Sequence, residues 1–229
     1  MATVTGLMPG QASAKGRVLS WAAITWFTVL LIVVNILVFL YEFSLNDYQL
    51  NLLISHYGLV PDRFHLENVL TSMFLHGGWL HVLGNMWFLW IFGDNIEDIL
   101  GHGKYLVFYL LSGFAAGVTH IVVNQASRVP SVGASGAIAG VMGAYFILYP
   151  RARVLTWFPP IFLFHVPAWL MLGYWFVMNF VSGTATAVAE TSQSSGGIAF
   201  WAHIGGFVAG IIMINIFGER PHRYRYGTW

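Results

Sequence analysis

The chain has 229 residues, of which 57% are hydrophobic and only 8% charged, against roughly 25% charged in an ordinary soluble domain. That balance cannot wet the surface of a globule, but it suits a single compact helical bundle whose outside faces lipid. A formal net charge of +1 provides no global basic field for nucleic acid, and the absence of cysteine excludes disulfides, thiolate catalysis and zinc–thiolate sites.

A polar, small-residue-rich segment, 1–20, opens the chain, with Lys15 and Arg17 just ahead of a long apolar run. A signal peptide has an apolar core of about 7–15 residues and a small-residue cleavage site. This run is longer and continues into Tyr41-Glu42-Phe43, so it is predicted as a first transmembrane helix over 21–43. Since a span needs about 20 mostly apolar residues, further spans are predicted over 79–99, 104–123, 135–149, 161–181 and 198–217. The expected fold is an all-α membrane protein: one six-transmembrane-helix domain, 21–217, between an N-terminal tail, 1–20, and a C-terminal tail, 218–229.

Six spans put both termini on one side. If that side is cytoplasmic, Lys15, Arg17, Lys104, Arg151, Arg153, Arg220, Arg223 and Arg225 lie inside and only Arg63 and Arg128 outside. The positive-inside rule therefore predicts cytoplasmic termini in a plasma membrane. Helices two, four and six then all run from outside to inside. Segment 44–78 is too long for a turn, and Leu50, Leu52, Leu53, Ile54, Tyr57 and Leu59 predict short interfacial helices, with an ordinary external loop as the plainer alternative. Segment 182–197 is rich in Ser, Thr and Gly and reads either as a loop able to move over a site or as a plain linker.

The fourth helix is anomalous. At 135–149 it would be roughly 22 Å long, too short for a hydrocarbon core of about 30 Å. Its outer end must lie below the surface, and segment 127–134 must dip in to meet it. Irregular backbone at that depth survives only inside protein or beside a wet cavity. Ser135 is thus expected at the floor of a pocket, at a helix N-terminus whose unpaired N–H groups and dipole suit a developing oxyanion. Taken alone, Ser135 reads equally as an N-cap. Gly133-Ala134-Ser135-Gly136 also differs from the hydrolase elbow, because Ala137 stands where that motif has its last glycine.

His203 lies near the outer end of the sixth helix, and Gly206 and Gly210 follow it. Gly136 with Gly140, and Ala139 with Gly143, give the fourth helix matching small-residue surfaces. Two such surfaces let helix backbones approach closely in lipid, bringing the Ser135 hydroxyl to the imidazole that would take its proton. On the second helix, His81 and Asn85 share one face at the same outer depth and are donors suited to an oxyanion. Each could instead serve only as an interhelical bond or a core histidine. Asp94, Glu97 and Asp98 fall at the inner end, so the expected arrangement is a Ser–His dyad without an acid.

Gly133-Ala134-Ser135-Gly136, Ala202-His203-Ile204-Gly205-Gly206 with Gly210, and His81-Val82-Leu83-Gly84-Asn85 together resemble the rhomboid family of intramembrane serine proteases. Gly77-Gly78-Trp79-Leu80-His81 and Phe92-Gly93-Asp94-Asn95-Ile96-Glu97-Asp98 extend the resemblance, which covers helices two to six. It implies a rhomboid-like bundle with a short central fourth helix. By that resemblance, Ser135 is the nucleophile, His203 the base, and His81 and Asn85 serve the oxyanion. It further implies single-pass membrane protein substrates cut within the lipid bilayer, no metal or nucleotide cofactor, and a gate formed by the fifth helix, with Trp169, Trp175 and Phe176, and the loop after it. Many members carry an aromatic residue four positions after the serine that stacks on the histidine. Here that position is Ala139, so something else must hold His203. Several members also have a Trp-Arg pair in the first external loop, and none occurs in 44–78.

The alternatives are a catalytically silent rhomboid-fold protein that binds clients, and a transporter. Silent relatives lack the serine or the histidine, whereas both are present here. A transporter would bring paired broken helices in matching halves, and no second half matches the break near Ser135. No His-Glu-x-x-His occurs for a metalloprotease.

Overall fold

The computed structural model describes residues 25–158, 162–188 and 199–217. The expected tails 1–20 and 218–229, the first residues of the predicted first helix and positions 189–197 of the expected loop lie outside the described residues. In chain order the helices are α1 (Trp26–Ser44), α2 (Asp47–Tyr57), α3 (Leu66–Thr71), α4 (Trp79–Leu100), α5 (His102–Val123), α6 (Ser135–Leu148), α7 (Ala168–Val188) and α8 (Phe200–Phe217). Short 3₁₀ turns at Pro61–Arg63 and Ser72–Phe74 flank α3.

Among the described residues three helices, α1, α5 and α8, are long and apolar enough to cross a membrane, and α6 is apolar but shorter. The polarity pattern is inverted relative to a soluble domain. Leu37, Leu80, Trp87, Trp90 and Ile216 are exposed, whereas Thr28, Asn35, Glu42, Glu97 and Ser112 are buried. Such a surface is solvated by lipid, and the chain is a largely helical membrane protein.

The fold is not purely α. Strands β1 (Arg153–Phe158) and β2 (Phe162–Pro167) pair antiparallel, from Arg153 opposite Pro167 to Phe158 opposite Phe162. They occupy ground where the sequence predicts the start of a fifth helix at 161. The reason is local: Arg-Val-Leu-Thr-Trp-Phe and Phe-Leu-Phe-His-Val-Pro are rich in β-branched and aromatic side chains, which favour a pleated, half-buried surface. Helix α7 therefore begins and ends later than expected, and 182–188, read from sequence as loop, is helical. The bonds Ala168 N–H to Ala152 O (2.8 Å) and Trp169 N–H to Pro150 O (3.0 Å) tie its start to the end of α6.

Segment 44–78 folds as short helices. Asn46 and Gln49 form a reciprocal capping box that starts α2. At the far end of the bundle, the Glu97 carboxylate of α4 accepts from the first backbone N–H groups of α1, Phe27 at 2.9 Å and Thr28 at 2.8 Å. A side chain from one helix thus caps another, satisfying donors that would otherwise be orphaned in an apolar setting.

Helix α6 is the most enclosed element, with every residue from Gly136 to Tyr145 buried. It packs on α8 backbone to backbone. A Cβ at Gly206 would run into the Gly136 carbonyl, one at Gly210 into the Gly140 carbonyl, and one at Gly143 into the Phe207 carbonyl. The segment before α6 is held by two antiparallel bonds, Leu59 N–H to Ser131 O (3.0 Å) and Ser131 N–H to Leu59 O (2.8 Å), and by Gly133 N–H to Ser72 O (2.8 Å). The start of α6 is therefore pinned between segment 44–78 and α8.

Candidate active site

Ser135 is the first residue of α6, and the N-cap is Ala134. The serine side chain does not cap the helix. Its hydroxyl lies 2.7 Å from His203 Nε2, in the first turn of α8. Both residues are half-buried. This contact follows from the glycine-to-carbonyl packing: with Gly206 against Gly136, the first turns of the two helices lie side by side.

The other ring nitrogen, His203 Nδ1, lies 2.7 Å from Asn179 Oδ1 on α7. The Asn179 amide has a defined orientation because its Nδ2 donates to the Trp175 carbonyl at 2.8 Å. Flipping it would set two oxygens face to face. Asn179 Oδ1 can only accept, so Nδ1 of His203 carries the hydrogen and Nε2 accepts from the serine hydroxyl. The Trp175 ring packs on the imidazole, with centroids 5.5 Å apart and planes tilted by 36°.

On α4, His81 Nδ1 accepts from Gly77 N–H at 3.4 Å, which leaves Nε2 as the donor. Asn85 is buried, and its Nδ2 has no hydrogen-bond partner among the described residues. Both groups border the same small space over Gly133. A Cβ built there would lie 2.7 Å from His81 Nε2 and 3.5 Å from Asn85 Nδ2. Gly133 also has φ +128°, a conformation that side-chain-bearing residues rarely adopt. A glycine is thus needed twice over, for its backbone and for the space. The Ser135 N–H, at the first position of α6, is among those with no intrahelical acceptor.

These groups line a cavity of about 300 Å³ that includes His81, Asn85, Phe88, Ser135, Trp175 and His203. A second cavity, of about 30 Å³, also borders Ser135 and is lined by Ser72, His120 and Ser131 among others. That is room for one water near polar partners. His76 stands just before α4, buried, with its ring 5.2 Å from that of His81 and its backbone N–H donating to the Glu42 carboxylate at 3.0 Å. Burial, and to a lesser degree the neighbouring His81, push its pKa down to about 4, so it stays neutral near pH 7. No group of three His, Cys, Asp or Glu residues suited to a metal ion occurs among the described residues.

The structure brings together all four residues singled out from the sequence, Ser135, His203, His81 and Asn85. Sequence reasoning missed Asn179, although the signal was available: it is the one strongly polar side chain in the run 169–181. In a lipid-embedded helix such a residue is a functional candidate by default. Trp175 had been assigned only to the gate, yet it packs on His203 where Ala139 offers no ring.

Comparison with known proteins shows the family of the chain. A family model described as the Rhomboid domain matches residues 63–220. Rhomboid protein 1, mitochondrial, of Saccharomyces cerevisiae is 30% identical over 149 residues, covering 63% of this chain and 40% of that protein. The presenilin-associated rhomboid-like protein, mitochondrial, of Mus musculus is 30% identical over 155 residues, covering 64% and 37%. RHOMBOID-like protein 1 of Arabidopsis thaliana is 30% identical over 169 residues, covering 73% and 38%. The chain spans about two fifths of the length of these relatives. The domain match runs from before α3 to beyond α8, taking in both the serine and the histidine, and the chain belongs to the rhomboid family.

Proposed function

We propose that the chain is an intramembrane serine endopeptidase that cleaves transmembrane segments of single-pass membrane proteins. The observation that carries this reading is the 2.7 Å contact between Ser135 Oγ and His203 Nε2, in the lining of a cavity shared with Asn85, whose Nδ2 has no partner among the described residues. Ser135 attacks the scissile carbonyl as His203 takes its proton. The oxyanion then sits over Gly133, between His81 Nε2–H, Asn85 Nδ2–H and the Ser135 backbone N–H. His203 returns the proton to the leaving amine, and the C–N bond breaks to leave an acyl-serine. A water, activated by His203, hydrolyses that ester and restores the serine. The small cavity bordering Ser135 is a suitable place for such a water to wait.

In this reading α1, α4, α5, α6, α7 and α8 are the six spans of one membrane domain, 21–217, with α6 as the short central helix. Both termini are cytoplasmic in a plasma membrane, in keeping with eight lysines and arginines on that side against two on the other. The named mitochondrial relatives make an organellar membrane the alternative location, and fractionation decides between them. A silent client-binding role is disfavoured, because the hydrogen-bonded serine and histidine have no use in it.

The test is cleavage of a generic single-pass substrate in liposomes by wild type, Ser135→Ala and His203→Ala. Wild type alone should cut, with losses of at least about 10³-fold in the variants. Equal cleavage by Ser135→Ala and wild type would sink the assignment.

A further inference from the structure

We infer that Asn179 is a positioning residue of this protease, holding His203 from α7 in the one ring tautomer and orientation that can accept the Ser135 proton. The inference rests on the protease reading above and replaces its acid-free dyad with a chain of three side chains from three helices.

The chain is continuous. Ser135 on α6 meets His203 on α8 at 2.7 Å, His203 meets Asn179 on α7 at 2.7 Å, and Asn179 is itself anchored to the Trp175 carbonyl at 2.8 Å. Asn179 is 8% exposed although most of α7 around it presents apolar side chains outward, so its amide is turned inward to the histidine and away from lipid. The Trp175 ring adds a wall on the face of the imidazole. The two α7 residues sit four apart, one turn, so a single helix face supplies both the in-plane bond and the stacking surface. Ala139 on α6 has no ring to offer, and α7 takes over that task.

An amide differs from a carboxylate in one decisive way. It fixes the Nδ1–H tautomer as an Asp would, but carries no charge to stabilise the imidazolium formed when the serine proton arrives. Orientation is therefore its main contribution. Its loss should slow the chemical step on the order of tenfold to a hundredfold, as for partners that orient a functional histidine, without changing substrate affinity.

The experiment measures the rate at which a fluorophosphonate labels Ser135 between pH 5.5 and 9. In that reaction the serine oxygen attacks phosphorus, fluoride leaves and His203 takes the proton. Wild type is compared with Asn179→Ala, Asn179→Leu and Asn179→Asp, with Ser135→Ala as the blank. Ring ¹⁵N shifts of His203 are recorded alongside. Asn179→Ala and Asn179→Leu should label about 10–100-fold more slowly, with thermal midpoints lowered by no more than a lost buried hydrogen bond implies, and should lose the Nδ1–H signature. Asn179→Asp should recover most of the rate and move the acidic limb of the profile to higher pH, since a carboxylate favours the imidazolium. Labelling of Asn179→Ala at the wild-type rate, or a wild-type His203 protonated at Nε2, would overturn the inference while leaving the protease reading intact. A folded wild type labelled no faster than Ser135→Ala would overturn the protease reading itself.

Discussion

Replacing Gly206 by alanine tests whether backbone contact between α6 and α8 sets the nucleophile-to-base distance. The added Cβ would run into the Gly136 carbonyl oxygen, with the carbonyl carbon at 3.0 Å and Ala116 Cβ at 3.4 Å. Backbone cannot swing aside, so the helices must part by about 1 Å, at a cost of about 1–3 kcal/mol. Alanine returns about 1 kcal/mol of helix propensity, so the net loss of stability is modest, up to about 2 kcal/mol. Activity is the sharper readout. Gly206 is one helical turn from His203, and Gly136 adjoins Ser135. A 1 Å separation stretches the 2.7 Å contact beyond hydrogen-bond range, and a misplacement of that size costs about 10²-fold in rate. The assay is kcat and thermal midpoint in detergent for Gly206→Ala, Gly206→Leu and Gly103→Ala. Gly103 is the control, because a Cβ there meets nothing within 4 Å. It should leave the rate unchanged, and Gly206→Leu should be worse than Gly206→Ala. Wild-type kcat in Gly206→Ala would refute the close-packing explanation of the site.

Asn85→Ala should lower kcat by about 10²–10³-fold while leaving the melting temperature unchanged or slightly raised, because its buried Nδ2 has no resting-state partner to lose. A fall in stability with full activity would remove it from the oxyanion site. Gly133→Ala should abolish cleavage, since the Cβ fills the space between His81 and Asn85 and φ +128° strains any side-chain-bearing residue. An active Gly133→Ala variant would mean that the oxyanion lies elsewhere. His76 yields a pH prediction. Its folded pKa of about 4 lies below the ordinary value of 6.5, so the unfolded state binds the extra proton between those values. Its contribution is therefore present above pH 6.5 and is lost as pH falls toward 4, by up to about 3 kcal/mol. Denaturant titrations at pH 7.5 and 4.5 should show a smaller drop in His76→Gln than in wild type.

Helices α1, α5, α6 and α8 were legible in the sequence because each is an apolar run bounded by polar or glycine-containing segments. The meeting of Ser135 and His203 was legible because small residues recur at helical spacing on both of their helices. The hairpin 153–167 was not. Counting apolar residues over 161–181 finds a span, but its first few residues taken alone are a short apolar run that fits strand as well as helix. The β-branched and aromatic content was the clue. Residues 182–188 were misread for the opposite reason: Ser182, Gly183 and Thr184 look loop-like, yet Thr184 returns its hydroxyl to the Phe180 and Val181 carbonyls and stays within the helix. Asn179 stood out as a polar side chain in an apolar run, but the partner that gives it a role, His203, comes near it only in three dimensions.

At Gly206, Gly210 and Gly143 one of the helices α6 and α8 meets a backbone carbonyl of the other with no side chain between them. A spacing set this way has almost no adjustable parts. Lipid exchange or repacking of outward-facing aromatics can alter what reaches the cavity, but the distance between the two helix backbones that carry Ser135 and His203 stays fixed. On the proposed reading, variation is therefore free to act on what the cavity accepts, because the two helices that carry Ser135 and His203 are held main chain to main chain, like the fixed jaws of a gauge.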